Sequence, residues 1–138
     1  MERNTDMNGT RPSLDCWLEE ARSDPSAKDC GMYLFHNGTV RETAKAMVRE
    51  GAQNTEKVLG MYFSADSKKV AHAVEEARAL PGIYYVRVWL NEGKLSVGDD
   101  IMLVLIGGDI RPHVLDALQR LVGFIKNECV VEQEICSV

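Results

Sequence analysis

Positive charge is in short supply: 21 Asp plus Glu stand against 16 Lys plus Arg, leaving a net charge of -5. Attraction to a phosphate backbone needs a concentrated basic face, so nucleic acid is not an expected partner. Long apolar runs are missing too, with no stretch near the ~20 residues that span a bilayer. The opening "MERNTDMNGTRPS" is polar and carries no secretion-signal core. A soluble cytoplasmic protein is expected, with a flexible start over residues 1–12 and one domain over 13–138. The four cysteines, Cys16, Cys30, Cys129 and Cys136, form no C-x-x-C pair. His36, His72 and His113 are scattered without metal-ligand spacing, so neither a zinc site nor a disulfide framework is signalled. Buried or incidental thiols are expected instead. No internal repeat or low-complexity linker divides the chain, and at 138 residues it is long enough to bury roughly two-thirds of its unfolded surface around one core.

What is present reads as alternating helices and strands. Leu14, Trp17, Leu18 and Ala21 recur at i, i+3, i+4 and i+7 after a possible Ser13 cap, predicting a helix over 14–22. The run "GMYLFHNGTVR" predicts a strand interrupted at His36-Asn37-Gly38, and the polar stretch 42–57 is assigned to a loop. "VLGMYFS" predicts another strand, after which Ser64 is expected to cap a helix over 65–80 that stops at Pro81-Gly82. "IYYVRVWL" and "DIMLVLIG" predict neighbouring antiparallel strands joined by "NEGKLSVGD", read as a connection outside the core. A last apolar stripe from Val114 to Ile125 predicts a third helix, and "CVVEQEI" a closing strand. The order α-β-β-α-β-β-α-β, with hairpin-paired strands and helices packed on them, gives an α+β domain with a mainly antiparallel sheet. The two apolar strands need cover on both faces, which suggests a symmetric homodimer.

Three cations are candidate functional residues. In "GGDIRP" two glycines leave a strand and open a helix, whose free N–H groups with Arg111 could grip a phosphate; equally, this is a tight turn with Asp109 as the N-cap. Arg41 ends a strand beside the polar "HNG" and could clamp an anion, or could be a solvated strand-end arginine. Lys126 lies at the rim of the buried stripe near Glu128, Glu132 and Glu134. A reactive amine needs a lowered pKa, which burial or a neighbouring cation supplies, whereas a helix-end lysine needs only the negative end of the dipole. Both readings of Lys126 stay open.

Four stretches together resemble the large, catalytic subunit of molybdopterin synthase, the MoaE family. "CGMYLFHNGTVR" resembles its Gly-Ala-apolar-apolar-x-Phe-x-Gly-x-Val-Arg strand, and "EGKLSVGDDIMLVLIGG" its Gly-x-Leu-x-x-Gly-acid segment. "DIRPHVLDALQRLVGFIKNE" resembles its Ala-His-Arg helix with a late lysine, and the run beyond it the family's edge strand. The resemblance implies an α/β-hammerhead fold and a homodimer needing no cofactor of its own. It further implies sulfur transfer from the thiocarboxylated C-terminal Gly-Gly of a small ubiquitin-like carrier subunit to a cyclic pterin phosphate. Lys126 then falls on a catalytic lysine, and Arg41 and Arg111 on substrate-binding arginines. Departures fall at Ile110 for a histidine, Leu90-Asn91 for His-Arg, and Glu132 to Ile135 for Trp-Lys-x-Glu. A second function therefore stands beside the first: a paralogue that keeps the fold and dimer and binds a ligand or partner without turnover.

Overall fold

Ser13 begins the first helix as its sequence requires, its hydroxyl accepting from the Cys16 amide at 3.3 Å. α1 (Leu14–Ser23) then turns Trp17 and Ala21 inward, and Asp24 caps the short 3-10 turn Pro25–Asp29 that follows. The computed structural model describes residues 5–7, 10–42 and 57–136. Within the segment expected to be a flexible start, β1 (Thr5–Met7) pairs in parallel with Val88–Leu90 of a later strand. Most of the stretch assigned to a loop lies outside the described residues.

Two sheets form the frame. β4 (Ile83–Leu90) and β6 (Asp100–Gly108) are antiparallel neighbours, as their apolar runs imply, and β2 (Met32–Thr39) pairs with the other side of β6 to give the order β1-β4-β6-β2. The second sheet has β3 (Val58–Ala65) at its centre, flanked by β5 (Gly93–Ser96) and β7 (Val130–Cys136), all antiparallel. The "NEGKLSVGD" stretch is thus more than a connection. Its Leu95 is buried opposite Met61, because a strand edge left by β3 captures the four residues of β5. α2 (Ser67–Arg78) begins differently from its sequence expectation. Its cap is Asp66, whose carboxylate accepts from the Lys68 and Lys69 amides at 3.0 and 3.2 Å, while Ser64 remains in β3. A carboxylate two residues nearer the helix serves two orphan donors at once. α3 (Arg111–Phe124) opens with Pro112 in its first turn.

The four-stranded sheet separates two apolar clusters. On one side Trp17 and Ala21 of α1 pack on Tyr85, Trp89, Leu103 and Leu105. On the other, α2, α3 and the inner face of the second sheet close over Val86, Val88, Val104 and Ile106. Every residue of β6 from Ile101 to Gly108 is buried, so the uniformly apolar strand has found cover on both faces within one chain. Each buried Val, Leu or Ile contributes about 1.5–3 kcal/mol relative to exposure.

Candidate functional site

α3 does not simply stop before β7. Its last residues, Ile125–Cys129, widen into a π turn whose ends, Ile125 and Cys129, are both buried in the main core. A π turn accommodates one more residue per turn than the α-helical ladder, a device frequent where a side chain must be re-aimed. Here it carries Lys126, whose side chain is 30% exposed. The Nζ lies 4.0 Å from Oε2 of Glu132, a side chain only 8% exposed. Glu132 points inward because it stands opposite Phe63 in the β3–β7 ladder, and Phe63 is core. The strand alternation of β7 thus puts Glu132 on the face that meets the amine.

His36, set aside on sequence grounds, belongs to this neighbourhood. In β2, Tyr33 and Phe35 pack toward α1, while Met32 and Leu34 pack toward the helices α2 and α3. Alternation therefore puts His36, paired with Val104, on the side where Ile125 and the π turn lie. Burial, and then the charge of Lys126, hold its imidazole below the usual histidine range. The signal was in the sequence: His36 continues the alternation begun by Met32 and Leu34 onto the core face.

Arg41 leaves β2 just past Val40, which is buried and held by hydrogen bonds between its amide and the Asp99 carbonyl (3.0 Å) and between its carbonyl and the Gly98 amide (2.8 Å). The arginine is exposed on an anchored strand end. Arg111 lies at the other end of α3 from Lys126. At about 1.5 Å per residue, the two are roughly 20 Å apart along the helix axis, too far to touch one small substrate within a single chain.

The helix start at Arg111 departs from expectation. Its N-cap position is Ile110, with no side-chain cap, and Asp109 sits one residue earlier. The Asp109 carboxylate accepts from the Ile110 amide at 2.6 Å and meets His113 Nδ1 at 2.7 Å. The bond to His113, with help from that amide, holds its carboxyl below the usual range. A negative charge therefore already sits where a phosphate would meet the first turn. Positions 90 and 91 are structural: Leu90 is fully buried, and Asn91 Nδ2 donates to the Asp100 carbonyl at 2.9 Å. His72 meets Glu76 on the surface of α2 at 3.0 Å. The cysteines are free; Cys129 is buried as expected, but Cys16 is exposed because it faces outward on α1. No helix among the described residues is long and apolar enough to cross a membrane.

With this geometry in view, comparison with known proteins is informative. Several solved structures share the fold. A molybdopterin synthase structure from Staphylococcus aureus superposes with a TM-score of 0.73 at 17% identity, covering 99% of this chain and 94% of that one. Molybdopterin cofactor biosynthesis protein E from Burkholderia multivorans gives 0.71 at 18% identity, covering 99% and 92%. A complex of subunits 1 and 2 of the molybdopterin-converting factor from Helicobacter pylori contains a chain at 0.67 and 13% identity, covering 96% and 84%. No curated protein matches the sequence significantly. The family described as MoaE protein matches residues 13–128, nearly the whole folded domain, and the chain belongs to that family.

Proposed function

We propose that the protein works in molybdenum cofactor biosynthesis as the large subunit of a molybdopterin-synthase-type enzyme. It would move sulfur from the thiocarboxylated Gly-Gly end of a small ubiquitin-like carrier subunit to a cyclic pterin phosphate. The observation that carries this reading is Lys126, held part-buried by the π turn between α3 and β7, where a compact ammonium can meet an anionic reactant. The H. pylori complex of the two subunits supports a small-subunit partner for this chain as well. In the transfer, the thiocarboxylate sulfur bonds to a substrate carbon as a C–O bond at that carbon breaks and the oxygen leaves with a proton or with phosphate; water then cleaves the acyl–sulfur bond, leaving a carboxylate on the carrier and a thiolate on the substrate. Lys126 steadies the negative charge on the sulfur and on the acyl oxygen. Arg41 and Arg111 bind substrate anions. The separation of Arg111 from Lys126 along α3 means that a shared site takes Arg111 from a second copy, as a symmetric homodimer permits.

Glu132 favours the second reading, a binding protein without turnover, because it puts a carboxylate beside the lysine where an anionic reactant must sit. The test supplies thiocarboxylated small subunit and cyclic pyranopterin monophosphate to the wild type and to Lys126→Ala, and measures dithiolene formation. Turnover, even if slow, that disappears in the variant supports the enzyme. A wild type that binds the small subunit and forms no dithiolene is the binding protein.

A further inference from the structure

α1 and β2 leave a cavity between them, on the side of the four-stranded sheet opposite the core that holds the π turn. Its volume is about 380 Å³, within the roughly 300–1,000 Å³ typical of small-molecule sites. Each wall follows from a local rule. Leu18 and Arg22 stand at i and i+4 on α1 and so share one side of the helix, while Trp17 and Ala21 take the side that is fully buried. Tyr33 and Phe35 alternate with Met32 and Leu34 along β2 and face α1. Cys30, which ends the 3-10 turn Pro25–Asp29, closes one end. Gly107, the ladder partner of Tyr33, shapes that end from below. A Cβ there would lie 2.8 and 2.9 Å from two ring carbons of Tyr33 and 3.1 Å from the Cys30 sulfur, so only a bare backbone lets ring and thiol lie together over it. Leu18, Cys30, Tyr33 and Phe35 are half-buried and Arg22 is exposed, which leaves the walls accessible.

The lining thus combines two apolar walls, a phenol, a thiol and one cation. Burial first, and then Asp29 and Asp24, push the Cys30 thiol above its ordinary range, and burial does the same to the Tyr33 phenol. Both stay protonated near pH 7 and can donate a hydrogen bond. Arg22 is close enough for its charge to act on that phenol. Neither acid lines the cavity. The Asp24 carboxylate accepts from the Ser26 amide at 3.0 Å and from its hydroxyl at 2.7 Å, and Asp29 is exposed, where water and salt screen it. We propose that this cavity binds a flat aromatic monocarboxylate, with its ring between Leu18 and Phe35, its carboxylate on the Arg22 guanidinium, and the Tyr33 hydroxyl donating to it. A guanidinium grips a carboxylate through two parallel N–H bonds. A flat ring suits a slot with the Phe35 ring on one wall and a branched aliphatic chain on the other. One charge is favoured over two, because Asp24 and Asp29 oppose every added negative charge while Arg22 offsets one. The site is independent of the reading of Lys126 and is the same in an enzyme and in a binding protein.

The experiment titrates the full chain with 2-naphthoate and follows backbone amides by NMR, beside two probes of the same shape, neutral 2-naphthamide and dianionic 2-naphthyl phosphate. Saturable shifts are expected at Arg22, Gly31 and Tyr33. The carboxylate should bind roughly tenfold tighter than the amide, the effect of one charge-assisted pair, and tighter than the phosphate. Arg22→Gln should bind the amide as the wild type does and lose the preference for the carboxylate. Gly107→Ala, which pushes the Tyr33 ring aside, should weaken all three probes. Because Gly107 lies in a buried strand, Leu18→Trp, which fills the cavity from a half-buried position, repeats that test, and thermal unfolding checks that each variant is folded. The carboxylate should also slow alkylation of Cys30 by iodoacetamide and leave that of the exposed Cys16 unchanged. The proposal is overturned if the shifts do not saturate or fall away from the cavity, or if amide or phosphate binds as tightly as the carboxylate. It is equally overturned if Arg22→Gln keeps the preference, or if folded Leu18→Trp binds like the wild type.

Discussion

Glu132 and Gly82 are single positions whose surroundings decide their roles. Glu132 carries a charge onto the inner face of a sheet because its ladder partner is Phe63, and the Lys126 amine 4.0 Å away offsets part of the cost of that placement. Gly82 has φ +80°, in the left-handed region, and a Cβ there would lie 2.4 Å from both Asp109 Oδ1 and His113 Nδ1. Those atoms are the ends of side chains that can swing aside. The backbone conformation and the loss of the Asp109–His113 pair therefore dominate the cost of substitution. Gly82→Ala is expected to destabilise the protein by roughly 1–3 kcal/mol, measured as a lower denaturant midpoint with an unchanged slope. A shift within about 0.3 kcal/mol of wild type would show that the turn relaxes without strain.

At the scale of elements, α2 depends on its cap more than on its composition. Asp66 receives two amides, and its own amide donates to the Cys129 carbonyl at 2.8 Å, tying the helix start to the end of the π turn. Asp66→Ala should cost about 1 kcal/mol through the lost cap. Asp66→Asn, which keeps an acceptor, should recover most of it; thermal unfolding of the two variants side by side gives the comparison. A second junction links the sheets: the Ala65 amide donates to Glu92 Oε1 at 2.7 Å, joining the end of β3 to the turn between β4 and β5. Both ties converge on the start of α2, so the Lys126 neighbourhood is framed by elements fixed to one another.

For the whole molecule, the arrangement of cations bears on the assembly that the proposed enzyme needs. Arg111 and Lys126 lie at opposite ends of one helix, and the proposed enzyme needs both at one substrate. A dimer with twofold symmetry is therefore expected, and light scattering at micromolar concentration should give twice the 15.4 kDa chain mass. A monomer would leave Arg111 without a place in the site and favour the binding protein.

The sequence by itself determined the α+β class, the three helices, the main strands and the pairing of β4 with β6, because hydrophobic period and turn chemistry are local properties written every two or four residues. It also located Lys126 at the rim of the apolar stripe. Only the tertiary structure decided that "GKLS" is a strand, since its pairing partner β3 lies some thirty residues earlier and no local signal specifies a captured edge. The same holds for the site. That Glu132 stands 4.0 Å from the Lys126 amine follows from the π turn and the β3–β7 register. That His36 lies on the side of β2 that faces the core shared with the π turn, ninety positions before Lys126, follows from the β2–β6 register. Charges act through space, and which of them become neighbours is settled by packing between elements far apart in sequence.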